Sequence, residues 1–177
     1  MTFLFVDETK SRGYSMVAAV ALHGDLEPYR RTLRPLLLPG QRRLHMKDEA
    51  DPRRRAIISA IAATGVTGVI YDAGRRYKTE REARAACLGA LIADAAQMAD
   101  PIVVLEQDDS LLSWDRQRLI EFTREHSCQD TVHYRHRRAA EEALLAIPDA
   151  LAWCWAKGQG SDWRRRIAAM ISQVRHV

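Results

Sequence analysis

Cysteine and lysine are scarce in this chain of 177 residues, which has three of the first and four of the second. The cysteines, Cys87, Cys128 and Cys154, are odd in number and widely spaced, which excludes the spacing of a zinc knuckle or a redox motif. They are typical of reduced, mostly buried thiols in a cytoplasmic protein, and nothing singles one out for catalysis.

Long apolar runs are also absent. The longest uncharged stretch, residues 56–71, contains two glycines and is too short to cross a membrane. Asp7 and Glu8 come so soon after Met1 that no apolar core for an export signal precedes them. The chain also lacks repeats, low-complexity segments and long linkers. We therefore expect a cytoplasmic protein with no membrane partner and a single domain over residues 1–177.

Positive charge is carried almost entirely by arginine, with 23 arginines against 4 lysines and a net charge of +4. Planar guanidinium groups suit phosphate, so the arginines favour nucleic acid, RNA or DNA, as a partner. A genome that favours arginine codons over lysine codons, with the arginines on solvated helix faces, accounts for the composition equally well. The clusters lie at residues 30–31, 42–43, 53–55, 75–76, 135–138 and 164–166.

Hydrophobic periodicity predicts an α/β domain in which a hairpin is followed by alternating helices and strands. Such an order favours a mixed sheet flanked by helices. The predicted strands are 2–6, 13–22, 66–71, 101–105 and 131–134, with a short extended piece at 43–46. The predicted helices are 26–38, 51–64 with Asp51 as N-cap, 79–98, 110–124, 144–157, and 163–174 capped by Asp162.

Three acids occupy comparable places on separate elements. Asp7 ends the first strand, Glu106 ends the fourth, and Asp149 follows Pro148, which is tolerated only near a helix start. Ligands of α/β sheets bind off the carboxyl ends of strands. Oxygen ligands suit Mg²⁺ or Mn²⁺, and two such ions can hold the attacking and leaving oxygens of a phosphodiester. The pattern predicts a metal site made by these three carboxylates.

The same residues also fit roles that involve no metal. Acids at strand ends are often solvated or paired with arginine, and Asp149 would also complement the positive end of its helix. His45, flanked by apolar residues, is more often a hydrogen-bonded structural group than a catalyst. The tryptophans at 153, 155 and 163 are most simply core residues, and base stacking is their less common use.

The order of four segments resembles a bacterial family called domain of unknown function 3800. These segments are Phe5-Val6-Asp7-Glu8-Thr9, Leu44-His45-Met46, Val103-Val104-Leu105-Glu106, and Glu142-x-x-Leu145-x-x-x-Asp149. The resemblance covers nearly the whole chain. It implies a ribonuclease H-like fold with a mixed five-stranded sheet and a two-metal nuclease site. It also implies that Asp7, Glu106 and Asp149 hold the metals, with Glu8 and Glu142 as secondary candidates and His45 as a neighbour of the site.

The chain departs from the family pattern at three places. Thr9-Lys10 replaces Ser-Gly, Ala146 replaces Gln, and Pro148 replaces Ala. Two hypotheses follow. The first is a metal-dependent nuclease that uses Mg²⁺ or Mn²⁺, and the second is an inactive module of the same fold that binds nucleic acid or protein.

Overall fold

The structure is a computed structural model that describes residues 1–177. Six strands and six α-helices make up the chain. The strands are β1 (Thr2–Thr9), β2 (Tyr14–Leu22), β3 (Thr67–Gly74), β4 (Pro101–Glu106), β5 (His133–Arg137) and β6 (Ile171–His176). The helices are α1 (Leu26–Leu33), α2 (Asp51–Ala63), α3 (Glu80–Ala95), α4 (Leu112–Glu125), α5 (Ala146–Trp155) and α6 (Asp162–Ile167). Short 3₁₀ turns lie at His23–Asp25, Arg34–Leu36, Met46–Asp48, Ala143–Leu145 and Ala168–Met170.

All six strands form one mixed sheet in the order β5-β4-β1-β2-β3-β6. Strand β2 runs antiparallel to β1 and β3, whereas β1–β4, β4–β5 and β3–β6 are parallel pairs. The predicted α/β class, with a mixed sheet flanked by helices, is confirmed. The predicted number of strands is wrong, because the sheet has six strands rather than five.

Helices cover both faces of the sheet. On one face α1, α2, α5 and α6 pack against Phe3 and Phe5 of β1. On the other face α3 and α4 pack against Leu4 and Val6 of the same strand. Successive side chains of β1 thus enter different cores, which explains why residues 3–6 are apolar without a break. The same alternation sends the acids at the end of β1 to opposite faces.

The sixth strand replaces the second half of a predicted helix. Helix α6 ends at Ile167, and β6 pairs in parallel with β3 from Gly68↔Ile171 to Asp72↔His176. An unpaired edge of β3 would leave a row of backbone donors and acceptors open, and β6 satisfies them. Ser161, rather than Asp162, caps α6 by accepting a hydrogen bond from the Arg164 N–H.

Smaller differences concern helix starts and ends. Helix α1 ends at Leu33 and continues as a 3₁₀ turn, because Pro35 lacks the N–H that a longer helix needs. Ala50 is the N-cap of α2, with Asp51 as its first residue. The extended piece predicted at 43–46 is not a strand, and a 3₁₀ turn begins at Met46. None of the helices is both long and apolar enough to cross a membrane.

The turn between β1 and β2 requires glycine at one position. Gly13 has a φ of 120°, and a Cβ atom there would lie 2.8 Å from the carbonyl oxygen of Gly74. The neighbour is backbone at the end of β3 and has no side chain to move aside. The hairpin and the end of β3 therefore approach as closely as they do because residue 13 has no side chain.

We expect Gly13→Ala to lower the free energy of unfolding by about 1–3 kcal/mol, because it adds backbone strain and a backbone clash. Urea denaturation followed by circular dichroism measures this. Gly24→Ala is the control, since its Cβ would meet nothing within 4 Å and its φ is not positive. Equal stability of the two variants would contradict the packing described for the turn.

Candidate active site

The pairing of β1 with β4 brings the first two acids together. The parallel register aligns Val6 with Leu105, so the next residues, Asp7 and Glu106, are neighbours at the carboxyl ends of adjacent strands. Neighbouring strands lie roughly 4.7–4.9 Å apart. By alternation both side chains project to the face of the sheet that α5 covers. The backbone N–H of Glu8 donates to the Asp7 carboxylate at 2.7 Å.

Helix α5 supplies the third acid from that same face. Asp149 lies in the first turn of the helix, as its position after Pro148 predicted. Its Oδ2 accepts a hydrogen bond of 2.8 Å from the backbone N–H of Met46. Its Oδ1 lies 3.6 Å from Nε2 of His45, whose Nδ1 lies 3.1 Å from Asp48. The 45–48 segment therefore orients Asp149 toward the strand ends.

An open cavity of about 650 Å³ joins these groups. Only three of its fourteen lining residues are hydrophobic, so its wall is dominated by charged and polar groups. The polar lining consists of Asp7, Glu8, Arg43, His45, Arg84, Glu106, Gln107, Asp108, Asp109, Ser110 and Asp149. The structure thus brings the three predicted metal-binding acids, Glu8 and His45 to one cavity.

Crowding and burial oppose ionisation of two of these acids. Burial raises the pKa of Asp7 well above its usual range, and the charges of Glu106 and Asp149 raise it further. Burial also raises the pKa of Asp149, against the opposing effects of the Met46 hydrogen bond and of His45. Carboxylates held together in this way gain from a cation that neutralises them.

An arginine already occupies one side of the cluster. Nη1 of Arg43 lies 2.8 Å from Oε1 of Glu106, and both side chains are partly exposed. Charge from Arg43 lowers the pKa of Asp7 and of Asp149, although less than burial raises them. Glu106 is therefore both a candidate ligand and one partner of an ion pair.

The donor chemistry of the cavity fits a hard divalent cation. Carboxylate oxygens are the ligands that Mg²⁺ and Mn²⁺ prefer, and Asp7, Glu106 and Asp149 supply them. Even so, no group of three or more His, Cys, Asp or Glu side chains is close enough to hold a metal ion as the side chains stand. An ion bound by all three carboxylates would have to take Glu106 from Arg43. The metal site stays a prediction.

Glu8 belongs to a different set of contacts. It points to the α3 side of the sheet, where it pairs with Arg84 and accepts a 2.7 Å hydrogen bond from the hydroxyl of Tyr14. Lys10 lies 3.6 Å from its other oxygen. The Tyr14 hydroxyl and two cations therefore hold Glu8, which makes it a support for the cavity wall more than a free ligand.

Arg84 connects that wall to a buried ion pair. Its Nε and Nη2 donate to the two oxygens of Asp115 at 2.7 and 2.6 Å, and Nη1 lies 3.1 Å from the Tyr14 hydroxyl. Asp115 is fully buried, and His136 lies 3.3 Å from it. Burial alone would raise the pKa of Asp115, but hydrogen bonds from Arg84 and His136 outweigh it and lower that pKa.

Glu142 does not line the cavity. It caps the 3₁₀ turn before α5 by accepting from the Leu144 N–H, and Arg30 donates to its carboxylate at 2.9 Å. The prediction that made Glu142 a secondary site residue is therefore not supported by its position. An acid just before a helix is placed to satisfy free backbone N–H groups, and Glu142 does this.

Comparison with known proteins leaves the family open. No protein-family model matches the chain, and no curated protein matches it significantly. The resemblance to domain of unknown function 3800 accordingly stays a prediction.

Sequence reasoning missed Arg43, Arg84 and Tyr14 as parts of the site. Arg84 has a local signal, because it interrupts the apolar side of α3 between Ala83 and Cys87, and an arginine there is rarely buried without a partner. Its partner Asp115 lies on another helix, 31 residues away, so only the fold reveals the pair. Arg43 differs in no visible way from the other clustered arginines.

We expect Asp115→Ala to destabilise the protein by about 3–5 kcal/mol, because it leaves the Arg84 charge buried with only Glu8 to compensate it. The lowered pKa of Asp115 means that its contribution is complete above the unfolded value near 3.9 and is lost as pH falls through the folded value. Urea denaturation at pH 7 and at pH 3 measures both effects.

Asp109→Ala is the matched control for that change. Asp109 pairs with Arg138 on the exposed surface, where such pairs contribute roughly 0–1 kcal/mol. A loss for Asp115→Ala no greater than for Asp109→Ala would contradict the buried network.

Asp7→Asn should raise stability in metal-free buffer at pH 7, on the order of 1 kcal/mol or more. The folded state raises the pKa of Asp7, so the folded protein binds a proton more tightly than the unfolded chain. The free energy of unfolding of the native protein therefore falls as pH rises from about 3.9 through the folded pKa, and asparagine removes this dependence. Denaturation with EDTA at several pH values measures the difference, and Asp130→Asn, an exposed acid outside the cavity, is the control.

Proposed function

We propose that the protein is a metal-dependent nuclease that hydrolyses phosphodiester bonds of nucleic acid. The observation that carries the proposal is the meeting of Asp7, Glu106 and Asp149 at one open cavity, with the pKa of Asp7 raised by burial and by the other two acids. Perturbed acids in a cavity at strand ends are typical of functional sites. The resemblance noted in the sequence implies the same chemistry.

Asp7, Glu106 and Asp149 would hold Mg²⁺ or Mn²⁺. The ion would supply positive charge that stabilises the charge developing on a phosphodiester and would activate water. The other roles belong to the chain itself. Arg43 lines the cavity near its surface and would offer its guanidinium group to phosphate oxygens. Arg84 is held by Asp115, Tyr14 and Glu8 and contributes a fixed positive charge to the cavity wall. His45 bridges Asp48 and Asp149 and keeps the third carboxylate oriented.

The proposal predicts cleavage of nucleic acid by purified protein in Mn²⁺ or Mg²⁺, with single-stranded, duplex and RNA–DNA hybrid oligonucleotides as substrates. Cleavage should stop when EDTA removes the metal and should fall at least a hundredfold in Asp7→Asn, because the variant loses one charged ligand. Denaturing gel electrophoresis of end-labelled substrates measures the rate. Asp130→Asn is the control and should cleave at the native rate. Undiminished cleavage by Asp7→Asn would contradict the proposed function.

A second candidate function is binding of nucleic acid without cleavage. The ion pair between Arg43 and Glu106 favours it, because the guanidinium already neutralises one of the acids. A module of this kind would bind no Mn²⁺ in calorimetry, and Arg43→Ala would restore some Mn²⁺ binding by freeing Glu106. If the native protein binds Mn²⁺ and the Asp149→Ala variant does not, the result would support the nuclease and exclude this candidate.

A further inference from the structure

Helices α2, α5 and α6 meet in a surface that combines three tryptophans with five basic side chains. Arg54 and Lys157 lie 4.5 and 4.0 Å from the ring centre of Trp153. Arg164 lies 3.3 Å from that of Trp155. Arg55 and Arg166 lie 5.6 and 5.9 Å from that of Trp163. We call these eight residues the Trp–Arg surface.

The Trp–Arg surface has an excess of positive charge. Arg54 pairs with Asp51, and Arg166 pairs with Asp162. The other three cations have no carboxylate within ion-pair distance; they are Arg55, Lys157 and Arg164. Arg55 and Lys157 are also exposed to solvent. Like charges held together repel one another, and a polyanion relieves that repulsion.

The aromatic rings hold the cations in place. All three tryptophans are half-buried and pack with one side against the core. Trp153 and Trp163 contact each other edge to face, with ring centres 5.0 Å apart. A cation resting on a fixed ring has fewer conformations to lose when it binds a phosphate. A guanidinium plane on such a ring is also a support on which an unpaired base can stack.

The surface adjoins the acidic cavity. Asp149 and Trp153 are four residues apart in α5, so their backbone positions are about one helical turn, roughly 6 Å, apart along the helix axis, and Lys157 follows just beyond the end of the helix. Arg54 donates to the carbonyl oxygen of Met46 at 2.8 Å, and Asp149 accepts from the N–H of the same residue. The Trp–Arg surface and the cavity are therefore connected through Met46 and Asp149.

We propose that the Trp–Arg surface binds single-stranded nucleic acid and leads it to the cavity. Its cations contact successive phosphates, and the guanidinium planes that rest on its rings stack with bases, which are free to stack only where the strand is unpaired. The role of the surface in delivering substrate rests on the proposed function, and it deepens that function by naming a single strand as the substrate. The binding itself requires neither metal nor cleavage.

Fluorescence anisotropy with labelled oligothymidylate, oligouridylate and a duplex of equal length tests the surface. The protein carries Asp7→Asn and the buffer contains EDTA, so the probe stays intact. Lys157→Gln with Arg164→Gln should weaken single-strand binding about tenfold or more. Each lost phosphate contact should also reduce the slope of log affinity against log salt by about 0.7. Arg116→Gln is the control, because this exposed arginine of α4 has no ion pair and lies on the other face of the sheet.

Tryptophan fluorescence gives a second readout that charge alone does not produce. The chain has four tryptophans, and the fourth, Trp114, packs with the α3–α4 core. Oligothymidylate should quench the native protein and Trp114→Phe to a similar extent, whereas Trp153→Phe should lose much of the quenching. Circular dichroism confirms that each variant is folded.

Several outcomes would overturn the proposal. Affinity for the duplex equal to that for single strands, binding of polyglutamate as tight as that of oligothymidylate, or unchanged affinity in the double glutamine variant would each do so. A protein that binds single strands through this surface but cleaves nothing in Mn²⁺ would refute the nuclease and leave the surface standing. Cleavage that continues with no dependence on Lys157 or Arg164 would refute only the surface.

Discussion

The parallel pairing of β1 with β4 is the contact on which the candidate site depends. It sets Asp7 beside Glu106 at the carboxyl ends of two inner strands, where the backbone holds them together although their charges repel. Apolar residues earlier in the two strands offset this repulsion, because their side chains fill the cores on both faces of the sheet. Asp149 then adds a third carboxylate from α5, held by the backbone N–H of Met46 and by the neighbouring His45.

Two groups of positive charge surround this cluster, and they differ in freedom. Arg84 is locked by Asp115, Tyr14 and Glu8 and serves the cavity as a fixed charge. Arg43 pairs with Glu106 near the surface, where such pairs exchange easily with solvent or another partner. The cavity therefore combines a rigid wall on the α3 side with an adaptable one on the side of residues 43–48, and ligand binding is expected to rearrange the second.

Much of the fold could be predicted from local patterns, since strands with continuous apolar residues and helices bounded by glycine or proline carry their own signals. Strand ends and a proline-marked helix start are recognisable in the chain, and they point to Asp7, Glu106 and Asp149. The predicted helix over residues 163–174 is wrong from Ile171 onward, because pairing with the open edge of β3 makes these residues a strand. The pairing of Arg84 with Asp115 also depends on tertiary contacts, so no local pattern predicts it. The same holds for the positions of Glu8 and Glu142, which lie apart from the three central acids.

Alternation along β1 has a consequence for how the native pairing is selected. Asp7 lies near the carboxylates of Glu106 and Asp149, whereas Glu8 pairs with the guanidinium of Arg84. A slip of β1 by one residue would exchange the two faces, leaving an acid without its buried arginine and moving Phe5 and Leu4 into the wrong layers. Adjacent acids with opposite surroundings thus act as an electrostatic check on strand alignment, in addition to any part that either plays in chemistry.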